Sequence, residues 1–175
     1  KFNIVPLNTF GMAEGPINHT RPGDPMEYHY ETVGRPICPG SKTLIVDDDD
    51  RPVPQGVSGE LIERGPHTPR GYFRNDEENR KSYNAEGFMH SGDYAMIDAN
   101  GNFRITGRKK DMIIRGGENI SANEIESLIV DHPMVQDVAI VAMLDVKFGE
   151  KVCAYIIPQG KARPSLDDIT EHLRD

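Results

Sequence analysis

Residues 103–125 read FRITGRKKDMIIRGGENISANEI, and the character of the chain changes within them. Phe103–Thr106 has the composition of a short strand. Arg108-Lys109-Lys110-Asp111 follows, four charged residues in succession, which suits a joint between two structured regions better than the interior of either. Beyond it, Ser121-Ala122-Asn123-Glu124 carries the spacing of a capping box, in which hydroxyl and carboxylate satisfy each other's backbone donors at a helix start. Ile125, Leu128 and Ile129 continue at helical spacing, and His132-Pro133 ends the helix because proline excludes the helical conformation from the residue before it.

Working outward, the two sides of this joint read differently. Upstream, candidate strands lie at Phe2–Leu7, Lys42–Val46, Val57–Glu63 and Tyr94–Ile97, punctuated by glycine and proline. Asn100-Gly101 is a strong hairpin turn, since both residues tolerate positive φ. Asp76–Tyr83 reads as a short helix, and Asp47–Asp50 as a solvated turn, because it lacks the glycine and distal glutamate of a calcium loop. His67 and His132, each beside a proline, read as loop or helix-end residues, with no metal-ligand spacing among the six histidines. Downstream, Val135–Met143 and Val152–Ile157 read as strands joined by a turn at Asp145–Gly149. Ser165-Leu166-Asp167-Asp168 opens a second capped helix with Leu166, Ile169 and Leu173 on its apolar stripe. The predicted class is α+β: a β-rich region over 1–107, a hinge at 108–111, and a small α+β module over 112–175.

Composition narrows the function. The 175 residues carry a formal net charge of −8, which argues against a nucleic-acid partner, because phosphate binding needs a basic face. No apolar run approaches a membrane span, and the opening residues lack the apolar core of a secretory leader, so a cytoplasmic location is expected. The chain opens abruptly and without methionine, which reads as a fragment. Cys38 and Cys153 do not make a disulfide framework and read as reduced structural residues. The glycosylation triplets at Asn18 and Asn119 are of a kind that arises often by chance.

Four short stretches stand out by their order: Phe10-Gly11-Met12-Ala13-Glu14-Gly15; Gly59-Glu60-Leu61 followed by Gly71-Tyr72; Ser91-Gly92-Asp93; and Gly107-Arg108-Lys109-Lys110-Asp111, continuing through Gly116-Gly117-Glu118-Asn119 to Glu124-Ile125-Glu126. Each alone is weak. In this order they resemble the acyl- and aryl-adenylate-forming superfamily, whose members include acyl-CoA synthetases, adenylation domains of peptide synthetases and luciferases. The resemblance implies the β-rich end of a large adenylating domain followed by its small C-terminal module. It also implies an ATP- and Mg²⁺-dependent ligase that joins a small carboxylic acid to AMP and passes it to a thiol, on CoA or on the phosphopantetheine of a carrier protein. Phe-Gly-Met-Ala-Glu-Gly looks like the aryl-acid branch, such as dihydroxybenzoate-AMP ligases. Gly-Gly-Glu-Asn-Ile-Ser looks more like acid–CoA ligases and is given slightly more weight.

The resemblance implies roles residue by residue. Phe10 matches the aromatic that stacks on adenine, which needs only a π face; as a bare residue it could equally be a core Phe at a strand end. Glu14 matches the magnesium ligand, and a carboxylate suits a hard cation; otherwise it is a glutamate at a helix start. Ala13 stands where threonine is usual, so one hydroxyl to phosphate is missing. Asp93 matches the ribose-binding carboxylate, able to accept from two neighbouring hydroxyls, and is otherwise a turn aspartate. Arg108 matches that sugar's or its phosphate's partner, and Ile105 a residue packing beside adenine; their bland readings are a solvated arginine and a core strand residue. Lys110 matches the hinge of domain rotation, and Gly116 with Gly117 the loop lining the thiol channel; a surface lysine and a turn glycine pair would look the same.

The family's glycine-rich phosphate loop and most of its acid pocket lie upstream of the matched region, and its adenylation lysine lies beyond Asp175, so the chain alone is expected to be inactive. Lys161 reads as a loop residue and not as that lysine. The leading expectation is an acid–CoA ligase; the alternatives are an aryl-acid ligase that loads a carrier protein and a non-catalytic interaction module on this fold. A missing upstream half would expose apolar surface and favour a homodimer.

Overall fold

A computed structural model describes residues 4–174. The chain divides into two compact units, Lys1–Thr106 and Gly107–Asp175. In the first, β1 (Thr9–Gly11) and β2 (Ile17–His19) form an antiparallel hairpin with Phe10 opposite Asn18. After the short helix α1 (Met26–Glu31), β3 (Arg35–Pro36) adds to the far edge of β2, giving a three-stranded sheet in the order β1-β2-β3.

The larger sheet is built from strands that are neighbours in both sequence and space: β4 (Lys42–Val46), β5 (Gly59–Arg64), β6 (Met89–Ile97) and β7 (Phe103–Arg108), with helix α2 (Asp76–Ser82) inserted between β5 and β6. All of β5 except Arg64 is buried, as expected of a strand with neighbours on both sides. Ile45 stands opposite Leu61 and Leu44 opposite Ile62, so the period-two alternation sends one pair to each face. Ile45, Leu61, Ala95 and Phe103 make the core on one face, and Val46, Ile62 and Phe88 that on the other. Burying each large apolar side chain contributes about 1.5–3 kcal/mol.

Local chemistry closes the turns. Asp98 Oδ1 accepts from the N–H groups of Asn100 (2.8 Å) and Asn102 (2.9 Å), which closes the predicted Asn100-Gly101 turn between β6 and β7. Asp47 Oδ1 accepts from the N–H groups of Asp49 and Arg51, both at 2.9 Å, so the aspartate run is a side-chain-closed turn. Asn75 caps α2 by accepting from the Glu78 N–H, and acidic residues 76–78 face the positive helix start.

The second unit opens with a 3-10 turn, Lys109–Asp111, and the hairpin of β8 (Met112–Arg115) and β9 (Glu118–Ser121). Helix α3 (Ala122–Val130), the long hairpin of β10 (Val135–Asp145) and β11 (Gly149–Pro158), and helix α4 (Leu166–His172) follow. The sheet order is β10-β11-β8-β9. Ile113, Ala122, Ile129, Val135, Ile140 and Ile169 form one core, so both helices pack against this sheet. Ser121 accepts from the Glu124 N–H at the start of α3, and at α4 both halves of the predicted capping box, Ser165 with Asp168, are made.

Three expectations need correction. The strand placed at Phe2–Leu7 does not form over its described part: Phe2 and Asn3 lie outside the described residues, and Ile4–Leu7 are exposed and belong to no strand. An apolar β-prone run without a neighbour makes no ladder. The Ser91-Gly92-Asp93 triplet, a common turn composition, lies within β6. The hairpin β8–β9 fills residues 112–121, for which no strand was predicted.

Candidate functional site

Asp93 owes its position to an irregularity in β6. Glu60 pairs with Tyr94 and Ile62 with His90, so a step of two residues on β5 spans four on β6, and Ser91–Asp93 bulge from the ladder. Gly92 takes φ +71°, which a side chain adopts only with strain. Its N–H donates to Glu60 Oε1 at 3.2 Å, while Glu60 Oε2 lies 3.1 Å from His90 Nδ1. The Asp93 N–H donates to Ser91 Oγ at 3.1 Å. The buried Asp93 is thereby set at a fixed kink in an otherwise rigid strand.

Glu14 sits in the turn between β1 and β2, closed by the Gly15 N–H to Met12 O and the Met12 N–H to Pro16 O, both at 3.2 Å. Glu14 and Tyr72 interact electrostatically across this turn. Burial, followed by the charge of Glu14, raises the pKa of Tyr72 above its ordinary value. Burial is also the first cause of the raised pKa of Tyr83, whose ring meets that of Tyr72 edge-on at 6.5 Å. Gly15 lies so close to β6 that a Cβ there would come within 2.5 Å of Met89 Cε. Met89 begins β6, and Asp93 stands four positions along it. At 3.3 Å per residue that is at most roughly 13 Å of strand.

Phe10 and Ile105 both pack against the core of Ile45, Leu61, Ala95 and Phe103. Ala95 is two positions beyond Asp93 on the same strand. Phe10 and Ile105 therefore share a core with Ala95 of β6, and the turn that carries Glu14 touches the side chain of Met89 at the start of the same strand. Phe10 is half-buried, in keeping with a ring that belongs to the core on one side and is open on the other.

The remaining candidates lie in the second unit. Arg108 is exposed at the end of β7, and Lys110 is exposed in the 3-10 turn. Gly116 and Gly117, with φ +62° and +91°, form the two-residue turn between Arg115 and its partner Glu118. Two successive positive-φ residues make the tight turn whose twist matches a hairpin, which accounts for the glycine pair on structural grounds. The Gly116 N–H also donates to Phe148 O at 2.8 Å, tying this turn to the β10–β11 turn. Lys161 is exposed in the loop before α4.

Two residues of the motifs acquire roles that the sequence alone did not assign. Glu60 holds the bulge that presents Asp93, and Tyr72 feels the charge of Glu14. The signal was present, since both stand in the quoted motifs, but a buried acid facing a strand bulge has no sequence pattern of its own. Gly59 fits the same scheme: a Cβ there would lie 2.4 Å from Val46 O, so β4 and β5 close up only around a glycine.

The model of the AMP-binding enzyme family matches residues 2–73, and that of the AMP-binding enzyme C-terminal domain matches residues 124–175, so the two units carry the two parts of one family. The chain belongs to the AMP-binding enzymes. A salicylyl-CoA synthase / salicylate adenylyltransferase of a Streptomyces species is 47% identical over 94% of this chain and 30% of its own length. The 2,3-dihydroxybenzoate-AMP ligase of Bacillus subtilis is 42% identical over 99% of this chain and 32% of its own. Among solved structures, ATP-bound MatB from Rhodopseudomonas palustris aligns with a TM-score of 0.82 at 31% identity, over 96% of this chain and 33% of that one. The chain thus spans about a third of the length of the relatives it matches.

Proposed function

We propose that this chain supplies the ribose, magnesium and hinge elements of an ATP-dependent, AMP-forming acid–thiol ligase. The observation that carries the reading is Asp93 fixed by a bulge of β6, two positions from Ala95, against whose core Phe10 and Ile105 pack. In this reading Phe10 and Ile105 flank the adenine. Asp93 accepts from the two ribose hydroxyls, which a carboxylate on a rigid strand can do without reorganising. Arg108 is assigned to the same sugar or its phosphate, Lys110 to the hinge, and Gly116 with Gly117 to the wall of the thiol path.

Glu14 suits magnesium better than it suits a metal held by protein alone. Among the described residues no three His, Cys, Asp or Glu side chains come together to hold an ion. Mg²⁺ keeps several waters and is commonly bound by one or two carboxylates together with substrate phosphates. When bound, the ion would neutralise charge developing on the phosphates. The chain's own contribution is to hold Glu14 in the turn between β1 and β2 and to keep the sugar carboxylate fixed.

For the acid, the aryl acids after which the two relatives are named, salicylate and 2,3-dihydroxybenzoate, support the aryl branch already suggested by Phe10-Gly11-Met12-Ala13-Glu14. For the acceptor, the leading reading is CoA, with a carrier-protein thiol as the alternative. Comparing the two acceptors with salicylate in the full-length protein separates them.

The test of the nucleotide site is Asp93→Ala in the full-length protein, read by calorimetric titration with ATP. Loss of two hydrogen bonds to a charged acceptor, each worth about 1.5–3 kcal/mol, should weaken binding by more than about a hundredfold. Unchanged affinity in a folded variant would remove Asp93 from the site and the reading with it.

A further inference from the structure

The aspartate turn of the first unit reaches the strand that carries Asp93. Asp47 closes that turn by accepting from the N–H groups of Asp49 and Arg51, and the Asp50 N–H donates to Asp47 O at 3.1 Å. Asp50 is held there at φ +60°, a left-handed conformation that aspartate tolerates and most side chains do not. Asp50 Oδ2 accepts from Asn84 Nδ2 at 3.2 Å. Asn84 Oδ1 in turn accepts from the N–H groups of Glu86 and Phe88, both at 3.0 Å, just before β6. Asp50 Oδ1 lies 3.5 Å from His90 Nε2, and the other nitrogen of that ring, Nδ1, lies 3.1 Å from Glu60 Oε2. Glu60 Oε1 accepts from the N–H of Gly92, the residue that bulges β6 ahead of Asp93.

Glu60 is buried and His90 mostly so. Each oxygen of Glu60 therefore faces its own nitrogen, the Gly92 N–H on one side and the His90 ring on the other. Ring nitrogens that face carboxylate oxygens do so as donors, and hydrogen bonds to a carboxylate are stronger than neutral ones. Without the ring nitrogen on Oε2, the Glu60 carboxylate can turn about its last bond, and the anchor of the bulge loosens.

The geometry points to His90 as a positioning residue for the nucleotide. Braced by Asp50, it fixes Glu60, and Glu60 fixes the bulge that aims Asp93 at the sugar. His90 acts through Glu60 and needs no contact with the nucleotide. This role rests on the assignment of Asp93 to the ribose hydroxyls. It also gives the aspartate run, otherwise a surface turn, a part in the site.

The experiment titrates the full-length protein and its variants with ATP and with 2′-deoxyATP by calorimetry, and takes the ratio of the two dissociation constants. A 2′-hydroxyl donating to a fixed carboxylate should give a ratio of about tenfold or more, which Asp93→Ala should abolish. His90→Gln has no donor at the Nδ1 position and should lower the ratio to below about threefold. His90→Asn, whose amide nitrogen stands near that position, should keep it above about fivefold. A wild-type protein that does not discriminate between the two nucleotides removes Asp93 from the ribose, and the role of His90 with it. A wild-type ratio of about tenfold that His90→Gln leaves intact, or that both His90 variants lose alike, overturns the role of His90 and leaves Asp93 in place. If neither His90 variant shows native circular dichroism, Asp50→Asn on the exposed turn decides. A ratio lowered by about twofold or more supports the brace, and an unchanged ratio overturns it.

Discussion

Two glycines of the first unit share nearly the same backbone conformation and differ only in what surrounds them, which makes them a controlled pair. Gly34 has φ +70° and Gly92 has φ +71°. Placing alanine in this left-handed region costs about 1–2 kcal/mol at either site. At Gly92 a Cβ meets nothing within 4 Å, so that cost is the whole cost. At Gly34 the Cβ would stand 2.1 Å from His19 O and 2.4 Å from Thr20 N, both backbone atoms of the neighbouring chain segment. Relief requires the chain around residue 34 to move away by about 1 Å, as carbon and oxygen do not approach within about 3 Å. That movement pulls on the Phe103 N–H to Gly34 O bond (2.8 Å), the Val33 N–H to Phe103 O bond (2.8 Å) and the Gly34 N–H to Thr32 Oγ1 bond (3.2 Å). At about 1 kcal/mol for each weakened bond, Gly34→Ala should cost about 4–5 kcal/mol against about 1–2 for Gly92→Ala. Urea unfolding followed by circular dichroism measures both. The chain has no tryptophan, and the two units can unfold separately, so the transition must be fitted by unit. Equal losses in the two variants would refute the reasoning, because they would show that the close approach at residue 34 carries no weight.

Three further expectations follow from single contacts. Glu14→Gln removes the charge beside the Tyr72 hydroxyl, so the Tyr72 ionisation should move down while staying above about 10, since burial is the larger cause; tyrosinate absorbance, with Tyr72→Phe as reference, reads it, and an unmoved titration would place Glu14 elsewhere. Asp24 is held below the ordinary carboxyl range first by the Arg21 N–H, at 2.7 Å, and also by the Arg35 guanidinium, at 2.8 Å. Its stabilisation is complete above about 3.9 and is lost as pH falls through the depressed folded value, so the stability difference between wild type and Asp24→Asn should shrink below about pH 4 and would disprove the account by staying constant. Ser165→Ala removes the side-chain half of the α4 capping box, in which Ser165 Oγ accepts from the Asp168 N–H, and should destabilise the second unit by about 1 kcal/mol in thermal unfolding, with no change if the cap is idle.

The lone carboxylate at Glu14 has a consequence for how metal would enter. A single acidic side chain offers Mg²⁺ too little to offset its dehydration, and no three acidic, histidine or cysteine groups stand ready among the described residues. In the proposed reading the ion therefore arrives on the nucleotide phosphates, and Glu14 selects the magnesium-bound nucleotide over the free one.

What the sequence revealed and what it hid divide along a physical line. Lys42–Val46, the Asn100-Gly101 turn and the two serine caps were legible because each is a local device whose energy is spent within a few residues. The sheet of β1, β2 and β3 was not, since strands of two or three residues are too short to show alternation and exist only because Asn18 pairs with Phe10 on one side and Pro36 on the other. The hairpin β8–β9 was hidden for a related reason: Gly116-Gly117 is compatible with slack loop or tight turn, and only the pairing of Arg115 with Glu118 decides. Asp93 is the sharpest case. Ser-Gly-Asp has the composition of a turn, and β6 uses that composition without turning, absorbing the positive φ of Gly92 as a bulge and anchoring it on Glu60 from the neighbouring strand. A motif can thus look like the end of a strand because it must bend one, and the acid it carries gains a rigid mount that a true loop would not give it.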